Sequence, residues 1–108
     1  MVIKNKTTGK ILATDAIKAE TYFQKTFGLI FSKPKTMIFR TRFGIHTFFM
    51  RYPIDVLVLD KENKVAAIKE NLKPNRIFLW NIKHEILIEF PPETLPQTKI
   101  GDQISFNK

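Results

Sequence analysis

Short apolar runs separated by turn residues dominate the chain, and this pattern predicts β-strands. The clearest run, Ile54–Leu59, is apolar at every position except Asp55, which favours a central strand buried on both faces. Residues 60–64 form a polar turn, and residues 65–68 are predicted to return as the second strand of a hairpin. Further strands are predicted around Val2, Ile11, Met37, Ile77, Ile86 and Ile104.

One segment, residues 21–27, has the spacing of a short helix. Thr21 and Gln24 fit a capping box, and Gly28 can adopt the left-handed conformation that ends a helix. We therefore expect an α+β fold that is mostly β, with one short helix and a small, strongly curved or barrel-like sheet, because short strands must protect their edges. The length of 108 residues predicts a single domain, residues 1–108.

Charge is the most uneven property of the sequence. Lys and Arg number 18 against 10 Asp and Glu, which gives a formal net charge of +8. No acidic residue lies between Glu20 and Asp55, so the centre of the chain is basic. Such an excess attracts anionic small molecules, acidic proteins or nucleic acids.

Several classes of protein are not favoured. The absence of Cys excludes thiol nucleophiles and Cys-based metal centres. We expect neither a cofactor nor a metal, since the two His residues have no spacing typical of metal sites and no Gly-rich phosphate loop occurs. No apolar run is long enough for a signal peptide or a membrane span, and we expect a cytoplasmic protein without a membrane partner.

Residues 45–60, IHTFFMRYPIDVLVLD, join a polar and aromatic cluster to the most apolar strand and are the predicted position of a site. An ionised Asp55 is costly to bury there unless it is paired or hydrogen-bonded. It is expected to form a structural ion pair, to cap backbone donors of the preceding turn, or to act in catalysis. The candidate side-chain partners are His46, Arg40, Arg42 and Arg51.

The segment from His46 to Asp55 resembles the signature of the domain of unknown function 192 family, also called uncharacterised protein family 0127. Asn71-Leu72-Lys73-Pro74, Glu89-Phe90-Pro91 and Gly101-Asp102 also resemble motifs of that family. The resemblance covers about residues 19–106 and implies a small, mostly β domain. It implies no established activity.

Because the basic centre of the chain meets this polar motif, the predicted function is a binding module with an anion-accepting pocket. The predicted ligand-binding residues are His46, Thr47, Arg51 and Asp55, flanked by Arg40 and Arg42. One alternative is nucleic-acid binding through the basic, aromatic-rich stretch 31–52. Another is a hydrolase in which Asp55 or His46 activates water, although the lack of a recognisable nucleophile weighs against an enzyme. The oligomeric state stays open.

Overall fold

The computed structural model describes residues 1–18, 36–40, 44–47, 52–80, 83–84, 86–95 and 97–107. These residues form a mostly β structure that contains ten strands. In chain order they are β1 (Val2–Asn5), β2 (Ile11–Ala13), β3 (Ile17–Lys18), β4 (Met37–Arg40), β5 (Gly44–His46), β6 (Ile54–Leu59), β7 (Val65–Leu72), β8 (Ile77–Leu79), β9 (Ile86–Phe90) and β10 (Ile104–Asn107).

The strands are divided among three sheets. The five-stranded sheet has the order β3-β4-β9-β6-β7, and only its β3–β4 pair is parallel. A three-stranded sheet has the order β10-β1-β2, and β5 pairs with β8 in a two-stranded sheet. The short bridge between Lys64 and Gln103 connects the β6–β7 turn to the start of β10.

The five-stranded sheet is covered on both faces, because alternate residues of β6 and β9 point in opposite directions. Val56, Val58 and Leu87 lie on one face and pack into the same core cluster as Ile45, with Phe78 and Trp80 against it. Leu57, Leu59, Ile88 and Phe90 lie on the other face and pack with Ile3, Leu12 and Ile104 of the three-stranded sheet. The central sheet is therefore the middle layer of the described structure.

Strand β6 occupies the position that its composition predicts. It lies between β9 and β7, and all six of its residues are buried. Its hairpin with β7 is confirmed, although β7 continues to Leu72, beyond the predicted residue 68. Burial of each large aliphatic side chain contributes roughly 1.5–3 kcal/mol, so β6 is a major source of stability.

Close approach of β5 and β8 depends on Gly44, which lies opposite Leu79. A Cβ atom at residue 44 would overlap the carbonyl oxygen of Phe78 and would lie 2.6 Å from Leu79 Cδ2. This pairing was not predicted, because a three-residue strand that begins with Gly shows no alternation of apolar and polar residues.

The expected barrel or strongly curved sheet is not found in the described part of the chain. The five-stranded sheet is open, with β3 and β7 at its edges. Its edge strand β7 carries exposed Lys69, Glu70 and Asn71, and such polar side chains protect an edge without closure. The predicted helix at residues 21–27 lies outside the described residues. Where the structure describes the chain, no helix has the length and apolar character that crossing a membrane requires.

Candidate functional site

Asp55 is held by backbone donors on two different segments. Its side chain is buried, with the residue 2% exposed. Oδ1 accepts a hydrogen bond from the Asn71 amide at 2.9 Å, and Oδ2 accepts one from the Thr94 amide at 2.9 Å. Both carboxylate oxygens therefore stabilise the backbone, and these two donors lie 16 and 39 residues further along the chain.

Local backbone geometry explains why Asp55 is needed at this position. The register between β6 and β7 shifts between Ile54 and Val56, and Asn71 has a positive φ of 53°. A bulge of this kind leaves an amide without its regular partner in the ladder, and Asp55 supplies the acceptor. Thr94 follows Glu93, whose φ is 66°, so the second donor also belongs to an irregular turn.

Thr47 has the same kind of role at the end of β5. It is fully buried, and its hydroxyl donates to the Lys73 carbonyl at 2.7 Å and accepts from the Arg76 amide at 2.9 Å. Its backbone amide also donates to the Arg76 carbonyl at 2.9 Å, and its carbonyl accepts from the Asn75 amide at 3.0 Å. Thr47 thus fixes the turn that separates β7 from β8.

Together, Thr47 and Asp55 hold residues 71–76 from both ends. Asn71 and Asn75, which begin and nearly end this segment, both have positive φ values. Asn tolerates that conformation better than most residues, but the segment still needs external hydrogen bonds to stay in it. Thr47 and Asp55 provide those hydrogen bonds. They therefore connect the segment from His46 to Asp55 with the segment Asn71-Leu72-Lys73-Pro74.

Among the remaining predicted site residues, Arg40 does not lie beside Asp55. Arg40 lies opposite Ile86 on β9, whereas Asp55 lies opposite Phe90. Four residues of an antiparallel strand span about 13 Å, so Arg40 and Asp55 lie at opposite ends of the sheet. The backbone of His46 pairs with Ile77. Arg42 and Arg51 lie outside the described residues.

Arg40 instead lines a groove of about 510 Å³ between the five-stranded and three-stranded sheets. The register places Lys18 beside Ile38, and Arg40 beside Ile86, on one face of the larger sheet. Phe106 belongs to β10 of the smaller sheet, across the groove. The described lining residues are Met1, Lys18, Ile38, Arg40, Asn63, Ile86 and Phe106.

The electrostatic character of this groove is positive at one side. Lys18 and Arg40 are exposed, and the described lining contains no acidic residue. Their Cα atoms lie on adjacent strands with a two-residue offset, which corresponds to roughly 8 Å. Side chains as long as Lys and Arg can reach a common anion from that separation.

Glu89 is a buried charged residue that the sequence interpretation missed. It is 0% exposed in β9 at the centre of the sheet, opposite Met37 and Val56. The signal was the same as for Asp55, since Glu89 is the only charged residue in the apolar segment Ile86–Phe90. A carboxylate in such a strand requires compensation, as it does at Asp55.

The phenol of Tyr52 is affected by its burial and, second, by the charge of Glu89. Burial of the phenol, followed by the negative charge of Glu89, raises the pKa of Tyr52 above its ordinary value. Both effects disfavour the phenolate, so the fold holds Tyr52 as the neutral hydroxyl.

In the described part of the chain, no group of three His, Cys, Asp or Glu side chains is arranged to hold a metal ion.

These observations define a small β protein with layered sheets and a groove. Its polar motif stabilises the backbone through the hydrogen bonds of Asp55 and Thr47. The DUF192 family model, described as Uncharacterized ACR, matches residues 3–106, and the chain belongs to this family. A UPF0127 protein of Pyrococcus furiosus is 27% identical over 113 residues, with 96% of this chain and 97% of the relative covered. A UPF0127 protein of Pyrococcus horikoshii is 32% identical over 97 residues, with 82% and 84% covered.

A solved structure has the same fold. The crystal structure of a protein of unknown function from Novosphingobium aromaticivorans matches with a TM-score of 0.78 and 16% sequence identity. The match covers 97% of this chain and 82% of that protein. At this level of identity the similarity concerns the fold and carries no statement about activity.

Proposed function

We propose that the chain is a binding module for a small anionic ligand, held in the groove between the five-stranded and three-stranded sheets. The observation that carries this proposal is that two cationic side chains, those of Lys18 and Arg40, line the same groove. Its volume of about 510 Å³ is within the range of small-molecule sites, roughly 300–1,000 Å³.

Arg40 is the residue that links this proposal to the sequence prediction. Its guanidinium group presents a planar set of donors that suits carboxylate and phosphate oxygens, and Lys18 adds a second positive charge. The groove therefore replaces the pocket around residues 46–55 as the proposed anion site. Asp55 and Thr47 contribute to the proposed anion site only indirectly, by stabilising the fold.

The two alternative functions receive less support from the geometry. A water-activating Asp55 would need contact with solvent and a free oxygen, whereas its carboxylate is buried and both oxygens accept backbone hydrogen bonds. The stretch 31–52 proposed for nucleic-acid binding lies in part outside the described residues. Nucleic-acid binding would be recognised in the titration below by binding of the oligonucleotide with a steep salt dependence.

Isothermal titration calorimetry with inorganic phosphate, acetate, benzoate, decanoate, AMP and a short single-stranded oligonucleotide tests the proposal. At least one small anion is expected to bind with a stoichiometry of one. Replacement of Arg40 or Lys18 by Gln is expected to weaken that binding about tenfold, because each charge-assisted contact is worth about 1.5–3 kcal/mol and these two are solvent-exposed.

Lys73→Gln is the matched control, since it removes the same charge from an exposed residue outside the groove. It is expected to leave binding within about twofold of the unmodified protein, as exposed charges act weakly at a distance. Equal loss in all three variants would mean that net charge alone attracts the anion. That result, or oligonucleotide binding with a steep salt dependence and no binding of small anions, would overturn the proposal.

A further inference from the structure

We infer that the ligand is an amphiphile, with one oxyanion group at Lys18 and Arg40 and one apolar chain along the groove. This inference rests on the proposed function and specifies the chemical class of the ligand. It follows from the asymmetry of the lining, in which both cationic side chains lie on β3 and β4, whereas Ile86 lies on β9 and Phe106 on the opposing three-stranded sheet.

The apolar part of the groove is an opening in the interface between two sheets. Ile38, Ile86 and Phe106 pack against the core cluster that joins those sheets, and each is only partly buried. Together with Met1 they present apolar surface to the groove. An apolar chain placed here would remove this surface from water, which is favourable in proportion to the area covered.

The polar part of the groove limits the charge of the ligand. Lys18 and Arg40 are the only cationic side chains among its described lining residues, and Asn63 is the only uncharged polar side chain there. A polyanion such as a nucleoside triphosphate or a nucleic-acid strand would place further negative groups against Ile86 or Phe106. Because an uncompensated charge is costly on apolar surface, a single oxyanion fits this lining better.

The register sets the direction of the bound chain. Lys18 and Arg40 lie on β3 and β4, at one side of the five-stranded sheet, while Ile86 lies on β9 and Phe106 on the opposing sheet. The head group is thus assigned to the β3–β4 side. The apolar chain extends from there across Ile86 towards Phe106.

A homologous series of n-alkyl carboxylates from four to ten carbons tests this inference, with each compound kept below its critical micelle concentration. Calorimetry is expected to show one site and an affinity that rises about twofold to fourfold for each added methylene group, the upper value corresponding to full burial. Decyl phosphate is expected to bind in the same way as decanoate. Decanol, which has the chain without the charge, is expected to bind at least tenfold more weakly.

Phe106→Ala is expected to flatten the dependence on chain length, whereas Leu79→Ala, which shortens an exposed apolar residue outside the groove, is expected to leave it unchanged. If Phe106→Ala does not fold, the comparison of decanoate with decanol in the unmodified protein still decides the point. Equal affinity for short and long carboxylates, with weaker binding to Arg40→Gln, would overturn the inference of an amphiphilic ligand but would support the anion site. No binding of any anion would overturn both.

Discussion

Replacement of Asp55 by Ala is expected to lower the free energy of unfolding by about 4 kcal/mol, because two part-buried hydrogen bonds from backbone amides to a charged acceptor are lost, at about 1.5–3 kcal/mol each. These are the amides of Asn71 and Thr94, each 2.9 Å from an Asp55 oxygen. Asp55→Asn is expected to cost about half as much, since its single carbonyl oxygen can accept only one of the two bonds. Urea denaturation followed by circular dichroism measures both changes.

Asp60→Asn provides a matched control. A single oxygen of Asp60, Oδ1, accepts both the Glu62 amide at 2.8 Å and the Lys64 amide at 3.0 Å, in an exposed turn. An Asn side chain keeps one such oxygen. Asp60→Asn is therefore expected to change the free energy of unfolding by less than about 0.5 kcal/mol. If Asp55→Asn were as stable as the unmodified protein, Asp55 would not be the structural acceptor described here.

Thr47→Val is expected to lower the free energy of unfolding by about 2 kcal/mol, through loss of the hydroxyl bonds to Lys73 and Arg76. Val retains the volume of Thr, so the change isolates the hydroxyl. The effect should also be local, since residues 71–76 depend on Thr47. Amide hydrogen exchange followed by NMR is expected to be faster for Arg76, whose amide donates to the hydroxyl.

Thr47→Ser separates the hydroxyl from the methyl group. Ser keeps both hydrogen bonds and removes one methyl group, so exchange at Arg76 is expected to remain slow even though the core is slightly less well packed. The amide of Asn75, which donates to the backbone carbonyl of Thr47, is expected to change less than that of Arg76 in Thr47→Val. Equal exchange rates in the Val and Ser variants would contradict the role assigned to the hydroxyl.

Most of the strands could be predicted from the sequence, because their apolar residues form compact runs between turn residues. Ile54–Leu59 is the best example. Its apolar residues occupy both faces of the strand, which indicates burial on both faces, and all six residues are buried. The strands β3 and β5 could not be predicted in this way. They contain two and three residues, and their pairing with β4 and β8 depends on contacts between distant segments.

The polar residues of the motif could be recognised from the sequence, but the partners of their polar groups could not, for a physical reason. A buried Asp, Thr or Glu indicates that a polar group needs a partner, but the sequence does not say whether that partner is a ligand or the protein's own backbone. For Asp55 and Thr47 the backbone supplies the partners. Of the groove, the sequence indicated Arg40 alone, because Lys18 comes beside it through the pairing of β3 with β4, and Phe106 faces them only when two sheets meet.

The central claim is that residues 47 and 55 build the fold while the groove holds the ligand. The most direct test is a titration of the isotopically labelled protein with decanoate, followed through its backbone amide NMR signals. Shifts are expected at Lys18, Ile38, Arg40, Ile86 and Phe106, which line the groove. Shifts centred instead on Thr47, Asp55 and residues 71–76 would contradict the claim and return the site to the polar motif.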